Sequence, residues 1–506
     1  MSALLFHNAR VLTQDAARPR AEAVAVHDGH IVAVGDMAAS SRALDADAER
    51  FDCEGGVLLP AFIDAHCHLL AYAASLRSVD CTAARSLADI QLAIRQRVAQ
   101  TPAGEWIRAY GYEETALAEE RHPNRHDLDA IAPAHPVRLI HRNGHASVLN
   151  SAALRQAGID SATEEPPGGF LERELPSGEP SGLLLGMDRL IERAVPPLPY
   201  PELAAGVREA SARLLRAGVA CVQDATHTNG RAEWQLFERL IADGSLPLQV
   251  VLMEGIDQLG ELPSRGVGRL CRGPTKIMLQ ELGDGLWPDE GELARRVGEA
   301  HAAGRQVAIH AIGERAVTAA SEAIREALGR RPRDGHRHRI EHCGLLPEGL
   351  APQLAKLGVV IVGQPSFVFE RGDRYLRLVP PQRHSSLYAF RALADAGVAL
   401  AAGSDAPVTA SQPLPAVAAA VDRRTAAGRA VAPEQAVAAE DALRWWTAGA
   451  AYAAFQENQR GVLRPGLQAD LALLSGDPTA CSPDELRALS VKRVWLAGQP
   501  AAPDAP

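Results

Sequence analysis

Two histidines two residues apart, His66 and His68 in FIDAHCHLL, close a short apolar run that also holds Asp64. Side chains alternate across a strand, so residues i and i+2 face the same way. Two imidazoles on one face invite a metal, because neutral histidine is the commonest metal ligand, whereas HxH alone also fits a polar strand end with hydrogen-bonded histidines. Three further apolar runs carry the same signature: QVAIHA with His310, HRIEHC with His342 and VALAAGSD with Asp405. A histidine or aspartate buried behind several apolar residues is costly without a partner. Convergence on one rim supplies that partner as a metal. Imidazole and carboxylate with little thiolate suit Zn, Mn or Fe rather than a sulfur site, and Cys67 and Cys343, beside the candidate ligands, read as packing residues.

Lys276, in TKIMLQE, stands out by composition, since among 52 basic residues only Lys276, Lys356 and Lys492 are lysines. Arginine stays cationic, whereas a desolvated lysine can be a neutral amine. An amine that reacts with CO2 becomes a carbamate able to bridge two metals; an ion pair with Glu281 or Asp284 is the competing reading. Pro274 puts Lys276 near the beginning of its apparent strand. The loop HRNGHASVLNSAAL offers His141, Asn143, His145 and Asn150. These either contact a substrate carbonyl or leaving group, or cap the following helix.

The elements that must position these residues are short apolar runs alternating with Ala-, Arg- and Glu-rich helical stretches. Strand then helix, repeated, predicts a parallel sheet. The runs are 61–66, 220–225, 248–253, 275–280, 306–311, 338–343, 359–364 and 398–405, with WIRAYGY, between Asp80 and Tyr112, as a further candidate. Eight or nine strands suit a (β/α)8 TIM barrel, whose chemistry sits at the C-terminal rim. Residues 1–57 and 455–506 read as short, Gly-punctuated strands that could pair into one composite β domain. The barrel then occupies 58–454, with the Pro- and Gly-rich segment 113–200 as a long insertion or lid.

The 506 residues are 47% hydrophobic and 23% charged, which describes an ordinary globular protein. A net charge of −10 gives no basic footprint for nucleic acid. No run reaches the ~18 apolar residues of a membrane span, and the first residues lack a basic export signal. Seven cysteines without CxxC spacing fit reduced thiols in a cytoplasmic protein. Walker, dinucleotide-binding and GxSxG motifs are absent, so the expected partner is a small-molecule substrate, with a homo-oligomer left open.

The stretches LLPAFIDAHCHL, HRNGHASVLNSAAL, PPGGFLERELPSGEPSGLL, VAIHAIGERAV, HRHRIEHCG, VVIVGQPSF, LAAGSDAPV and GVLRPGLQADLALL, in that order, resemble the amidohydrolase superfamily and its YtcJ-like (amidohydrolase 3) branch. The resemblance implies a (β/α)8 barrel with a β-sandwich built from both chain ends, and metal-dependent hydrolysis, commonly of C–N bonds. It implies that His66 and His68 are the first-strand ligands, His310 the fifth-strand ligand, His342 the sixth-strand ligand, and Asp405 the eighth-strand ligand and base. Lys276 matches the position where similar hydantoinase-like members carry a carboxylated lysine. The implied mechanism is attack by a metal-activated hydroxide, with Asp405 as general base and acid and His145 helping to polarise the carbonyl. The same ligands would serve a mononuclear deaminase or a metal-dependent lactonase or phosphotriesterase. A non-catalytic barrel scaffold is the remaining alternative, although the ligands are all retained.

Overall fold

The structure is a computed structural model that describes residues 3–501 apart from 46, 167, 188, 189, 192, 194 and 284. Eight strands form a parallel sheet in sequence order: β1 (Phe62–Cys67), β2 (Val219–Asp224), β3 (Gln249–Gly255), β4 (Leu270–Met278), β5 (Val307–Ala311), β6 (Arg339–His342), β7 (Val360–Gly363) and β8 (Ala399–Ala402). Runs such as VACVQD and VIVG are buried along their whole length. That is the signature of a parallel strand covered on both faces. Past its two ends the sheet closes, because the Asp405 amide donates to the His66 carbonyl at 2.7 Å and the His68 amide donates to the Ala406 carbonyl at 2.8 Å. The result is a (β/α)8 barrel, each strand coming from one of the eight apolar runs.

Two expectations change. WIRAYGY is a strand, Ile107–Tyr112, but it pairs with Val79–Asp80 and Val137–His141 outside the barrel. Lys276 is not early in its strand, because β4 starts at Leu270 rather than after Pro274. Leu252 opposes Arg272 and Glu254 opposes Thr275, so Gly273 and Pro274 together face Met253 alone. Such a bulge is where a strand tolerates proline, which has no N–H for the ladder. The bulge leaves Lys276 near the rim end of β4.

Strands from both chain ends share a six-stranded sheet: Leu471–Leu474 pairs with Val57–Pro60 on one side and Val491–Leu496 on the other. A four-stranded sheet of Ala3–His7, Ala23–His27, His30–Gly35 and Glu49–Asp52 packs against it through Leu4, Phe6, Val24, Leu58, Leu471 and Trp495. The Trp495 ring stands edge-on to Phe6, centroids 4.8 Å apart. The small β-sandwich thus draws on both termini.

The chain divides into two compact units, residues 1–68 with 211–506, and residues 69–210. The second holds its own six-stranded sheet, from Phe170–Arg173 at one edge to Val79–Asp80 at the other, over a core that includes Ile90, Ile94, Leu128, Leu139 and Val148.

At the N-terminal end of the barrel strands three buried histidines form a fully determined network. His338 Nδ1 accepts from the Val307 amide at 3.0 Å, so its Nε2 carries the proton and donates to His301 Nδ1 at 2.9 Å. His301 Nε2 donates to the Arg331 carbonyl, and His336 accepts from the His338 amide and donates to the Leu357 carbonyl. An added proton would set one N–H against another. Burial pushes His338 from 6.5 down to about 2, and it lowers His336 as well. A histidine held neutral by the fold is protonated first in the unfolded chain. Stability is therefore complete above the ordinary value near 6.5 and is lost as pH falls through it, by up to about 1.4 kcal/mol per pH unit for His338. The expected result is a fall in the urea midpoint between about pH 7 and pH 5 that His338→Asn flattens; an equal slope in the variant would acquit the network.

Candidate metal centre

The first two ligand candidates come from the end of β1. His66 is its penultimate residue and His68 lies one past its end. Asp405 follows β8 on a backbone with φ of +60°, a left-handed conformation that aspartate tolerates better than most residues. That turn brings its Oδ1 to 3.1 Å from His68 Nε2 and 3.5 Å from His66 Nε2. Among the described residues, these three are the metal-type side chains whose ligand atoms lie within 4.8 Å of one another. Asp64, on the same strand, faces elsewhere. Its carboxylate accepts from Ser404 Oγ at 2.5 Å, Ser411 Oγ at 2.6 Å and the Ser404 amide at 2.9 Å, tying β1 to the segment after β8.

His342 and His310 complete the ring cluster. The His342 ring lies 4.8 Å from that of His66 and 4.5 Å from that of His310, centroid to centroid. His342 takes φ of +71° at the end of β6, so strict strand alternation stops there and its ring turns toward the same neighbours that Glu341 reaches. Strain of this kind is held in place only by the surrounding structure and gathers at functional sites.

The hydrogen bonds decide which imidazole nitrogen is free. His66 Nδ1 faces the Glu341 carboxylate at 2.6 Å, His342 Nδ1 faces the Gln364 amide oxygen at 2.8 Å, and His68 Nδ1 faces the Thr226 hydroxyl at 3.0 Å. The carboxylate and the amide oxygen accept a proton, so Nδ1 of His66 and of His342 carries the hydrogen and Nε2 keeps its lone pair, whereas the Thr226 hydroxyl can donate or accept and His68 Nε2 faces the Asp405 carboxylate at 3.1 Å. A free Nε2 lone pair is the state a metal needs. Burial drives His66 well below the usual imidazole value, and the Lys276 charge adds to the effect; burial also lowers His342. For Asp405 burial opposes ionisation. The His68 hydrogen bond and the neighbouring imidazoles outweigh it and hold the carboxyl below its ordinary range.

Lys276 is buried, and its Nζ has no hydrogen-bond partner among the described residues. Burial lowers the amine to about 8, against the pull of the Glu341 and Asp405 carboxylates. The alternative ion pair with Glu281 does not form: that carboxylate accepts from the Ala316 amide at the start of the helix after β5. Asp284 lies outside the described residues. The donor set fits a divalent ion of the zinc, manganese or iron type. His66, His68, Asp405, His310, His342 and Lys276 are the side chains that would hold one or two of them.

The HRNGHASVLNSAAL loop belongs to the second unit. Asn150 is a structural cap: it accepts from the Val137 and Ala153 amides and donates to the Ala132 and His135 carbonyls. His141 is buried against Glu114 at 2.7 Å. Asn143 accepts from the His145 amide at 2.9 Å and shapes the turn on which the half-buried His145 sits. The catalytic part given to His145 rests on the sequence argument.

Sequence reasoning passed over Arg339, Glu341, Gln364 and Thr226. The signal for the first two was present, since two opposite charges two residues apart in a buried strand must pair across one face.

Comparison with known proteins gives consistent matches. A family model described as "Amidohydrolase family" matches residues 49–502. The chain is similar to N-substituted formamide deformylase of Arthrobacter pascens, 32% identical over 98% of both chains. It is also similar to YtcJ of Bacillus subtilis (strain 168), 28% identical over 98% of both. Among solved structures, a metal-dependent hydrolase of Pyrococcus horikoshii OT3 superposes with a TM-score of 0.77 at 24% identity, covering 96% of this chain and 99% of that one. That likeness shows a shared fold.

Proposed function

The chain belongs to the amidohydrolase family, and from that premise we propose that it is a metal-dependent hydrolase of C–N bonds in amides, with N-substituted formamides as the first substrates to try. The observation that carries the reading is the meeting of His66, His68 and Asp405, with Asp405 Oδ1 at 3.1 Å from His68 Nε2 and 3.5 Å from His66 Nε2. The substrate class comes from the deformylase relative.

A divalent ion bound there supplies Lewis acidity, which makes hydroxide available near neutral pH. The rest of the chemistry falls to the chain. Asp405, ionised and adjoining both first-strand imidazoles, takes the proton of the attacking water and delivers it to the departing nitrogen. Lys276 Nζ has no hydrogen-bond partner among the described residues, and reaction of its neutral amine with CO2, with loss of one proton, would add a carboxylate beyond that nitrogen. The seven free thiols agree with a cytoplasmic location, and among the described residues no helix is long and apolar enough to cross a membrane.

The test is a screen of N-substituted formamides, other amides, cyclic imides, lactones and aminated rings, with enzyme as purified, after chelation and after Zn2+ or Mn2+ is restored. Amide hydrolysis lost on chelation and regained with metal is expected. Turnover confined to lactones or aminated rings would move the protein to another reaction, and turnover indifferent to chelation would remove the metal.

A further inference from the structure

Of the three imidazoles of the candidate site whose Nδ1 partner is given above, His66 alone has a carboxylate there; His68 has a hydroxyl and His342 an amide oxygen. That carboxylate, Glu341, does not stand by itself. Glu341 and Arg339 lie two apart on β6, both fully buried on one face. Arg339 Nε donates to Glu341 Oε1 at 2.7 Å and Nη2 donates to Oε2 at 3.0 Å. The other guanidinium contacts cross the barrel interior: Nη1 donates to Gln223 Oε1 on β2 at 2.6 Å, and Nη2 donates to the Ala65 carbonyl, one residue before His66, at 2.8 Å. Gln223 is fixed in turn by donating to the Ala450 carbonyl at 2.8 Å.

A buried ion pair is a poor device for stability. Desolvating both charges costs about as much as their attraction returns, and apolar side chains of similar volume often do as well or better. What this pair does that apolar residues could not is present a fixed anionic acceptor to one nitrogen of one ligand, while the same guanidinium grips the backbone that carries that ligand.

We propose that the Arg339–Glu341 pair is a positioning device for the metal site. It locks the ring plane and the Nδ1–H tautomer of His66, and it ties β6 and β2 to β1 so that His66 Nε2 is held toward Asp405 before any metal arrives. Arg339 occupies both oxygens of Glu341, which leaves the His66 proton on its own ring. The inference rests on the metal-site reading above.

Its test is metal affinity in full-length protein, measured with Co2+ against a chromophoric chelator, together with the visible spectrum of the Co2+ form. Glu341→Gln removes the charge and one acceptor, and should weaken Co2+ about ten- to a hundredfold with a changed ligand-field spectrum. Because that variant strands Arg339 and could unfold, the double variant Arg339→Met/Glu341→Met is measured beside it. The double variant should keep the wild-type thermal midpoint, since apolar replacement of a buried pair is tolerated, yet share the loss of affinity and the altered spectrum. Glu341→Asp, charged but shorter, should recover part of the affinity. Wild-type affinity and spectrum in the folded double variant would overturn the proposal and leave the metal site standing. Failure of the wild-type protein to bind Co2+ would instead overturn the metal reading itself.

Discussion

Replacing Asp405 by asparagine is expected to lower turnover of a hydrolysed amide by about a hundred- to ten-thousand-fold, the range for loss of a positioned general base, while leaving the fold intact. Asparagine has nearly the shape of aspartate and tolerates the left-handed backbone found at this residue. It can still occupy the space beside His66 Nε2 and His68 Nε2, but its side chain cannot accept a proton from water at neutral pH. An amide –NH2 turned toward the lone pair of His66 would also compete for it, so bound metal should fall along with rate. Steady-state kinetics and metal analysis on the same preparation check both parts, with circular dichroism confirming the fold. Unchanged turnover would remove Asp405 from the chemistry and with it the proposed mechanism.

Lys276→Ala is the second large effect. If a carbamate on Lys276 bridges two ions, the alanine variant should lose activity and one metal equivalent, and short carboxylic acids added to the buffer should restore part of both. Lys276→Arg should not help. Guanidinium is not carboxylated and adds a buried positive charge close to His66 and His342, whose protonation the Lys276 charge already opposes. A different outcome has its own meaning, because His66, His68 and Asp405 form a closed three-ligand group by themselves. Full activity with one metal per chain in Lys276→Ala would point to a mononuclear site and raise the standing of ring deamination. Metal-to-protein ratios of the wild type and the two variants separate the readings.

Much of this arrangement could be read from residue order because it depends on local pattern. Each of the eight apolar runs is a barrel strand, and His66, His68, His310, His342 and Asp405 stand at or just past strand ends, where an unpartnered polar group would be costly. The failures share a different cause. WIRAYGY has the composition of a barrel strand, and only its long-range pairing with Val79–Asp80 and Val137–His141 shows otherwise. Pro274 reads as a strand boundary until the bulge opposite Met253 is seen. Glu341 is next to His342 in sequence, and alternation would send the two side chains to opposite faces; the positive φ of His342 cancels that rule and lets both reach His66. Backbone conformations of this sort are set by the whole barrel, and nothing in a short window of residues announces them.

The sandwich strand Val57–Pro60 runs into β1 with only Ala61 between them, and the Ala61 amide is held by the Asp470 carbonyl at 2.9 Å. The strand that carries His66 therefore hangs from a support, Leu471–Leu474, that leaves the ribosome long after β1 itself. A nascent chain can pair β1 with β2 and Val57–Pro60 with Arg10–Leu12 and still leave the second edge of Val57–Pro60 without the strand that covers it in the finished fold. Synthesis order thus makes the pairing of Leu471–Leu474 with Val57–Pro60 one of the last contacts available to the chain. Early termination before residue 474, or a bulky fusion that hinders this sheet, would be felt at the histidines through β1 rather than as a local defect at the C-terminal end.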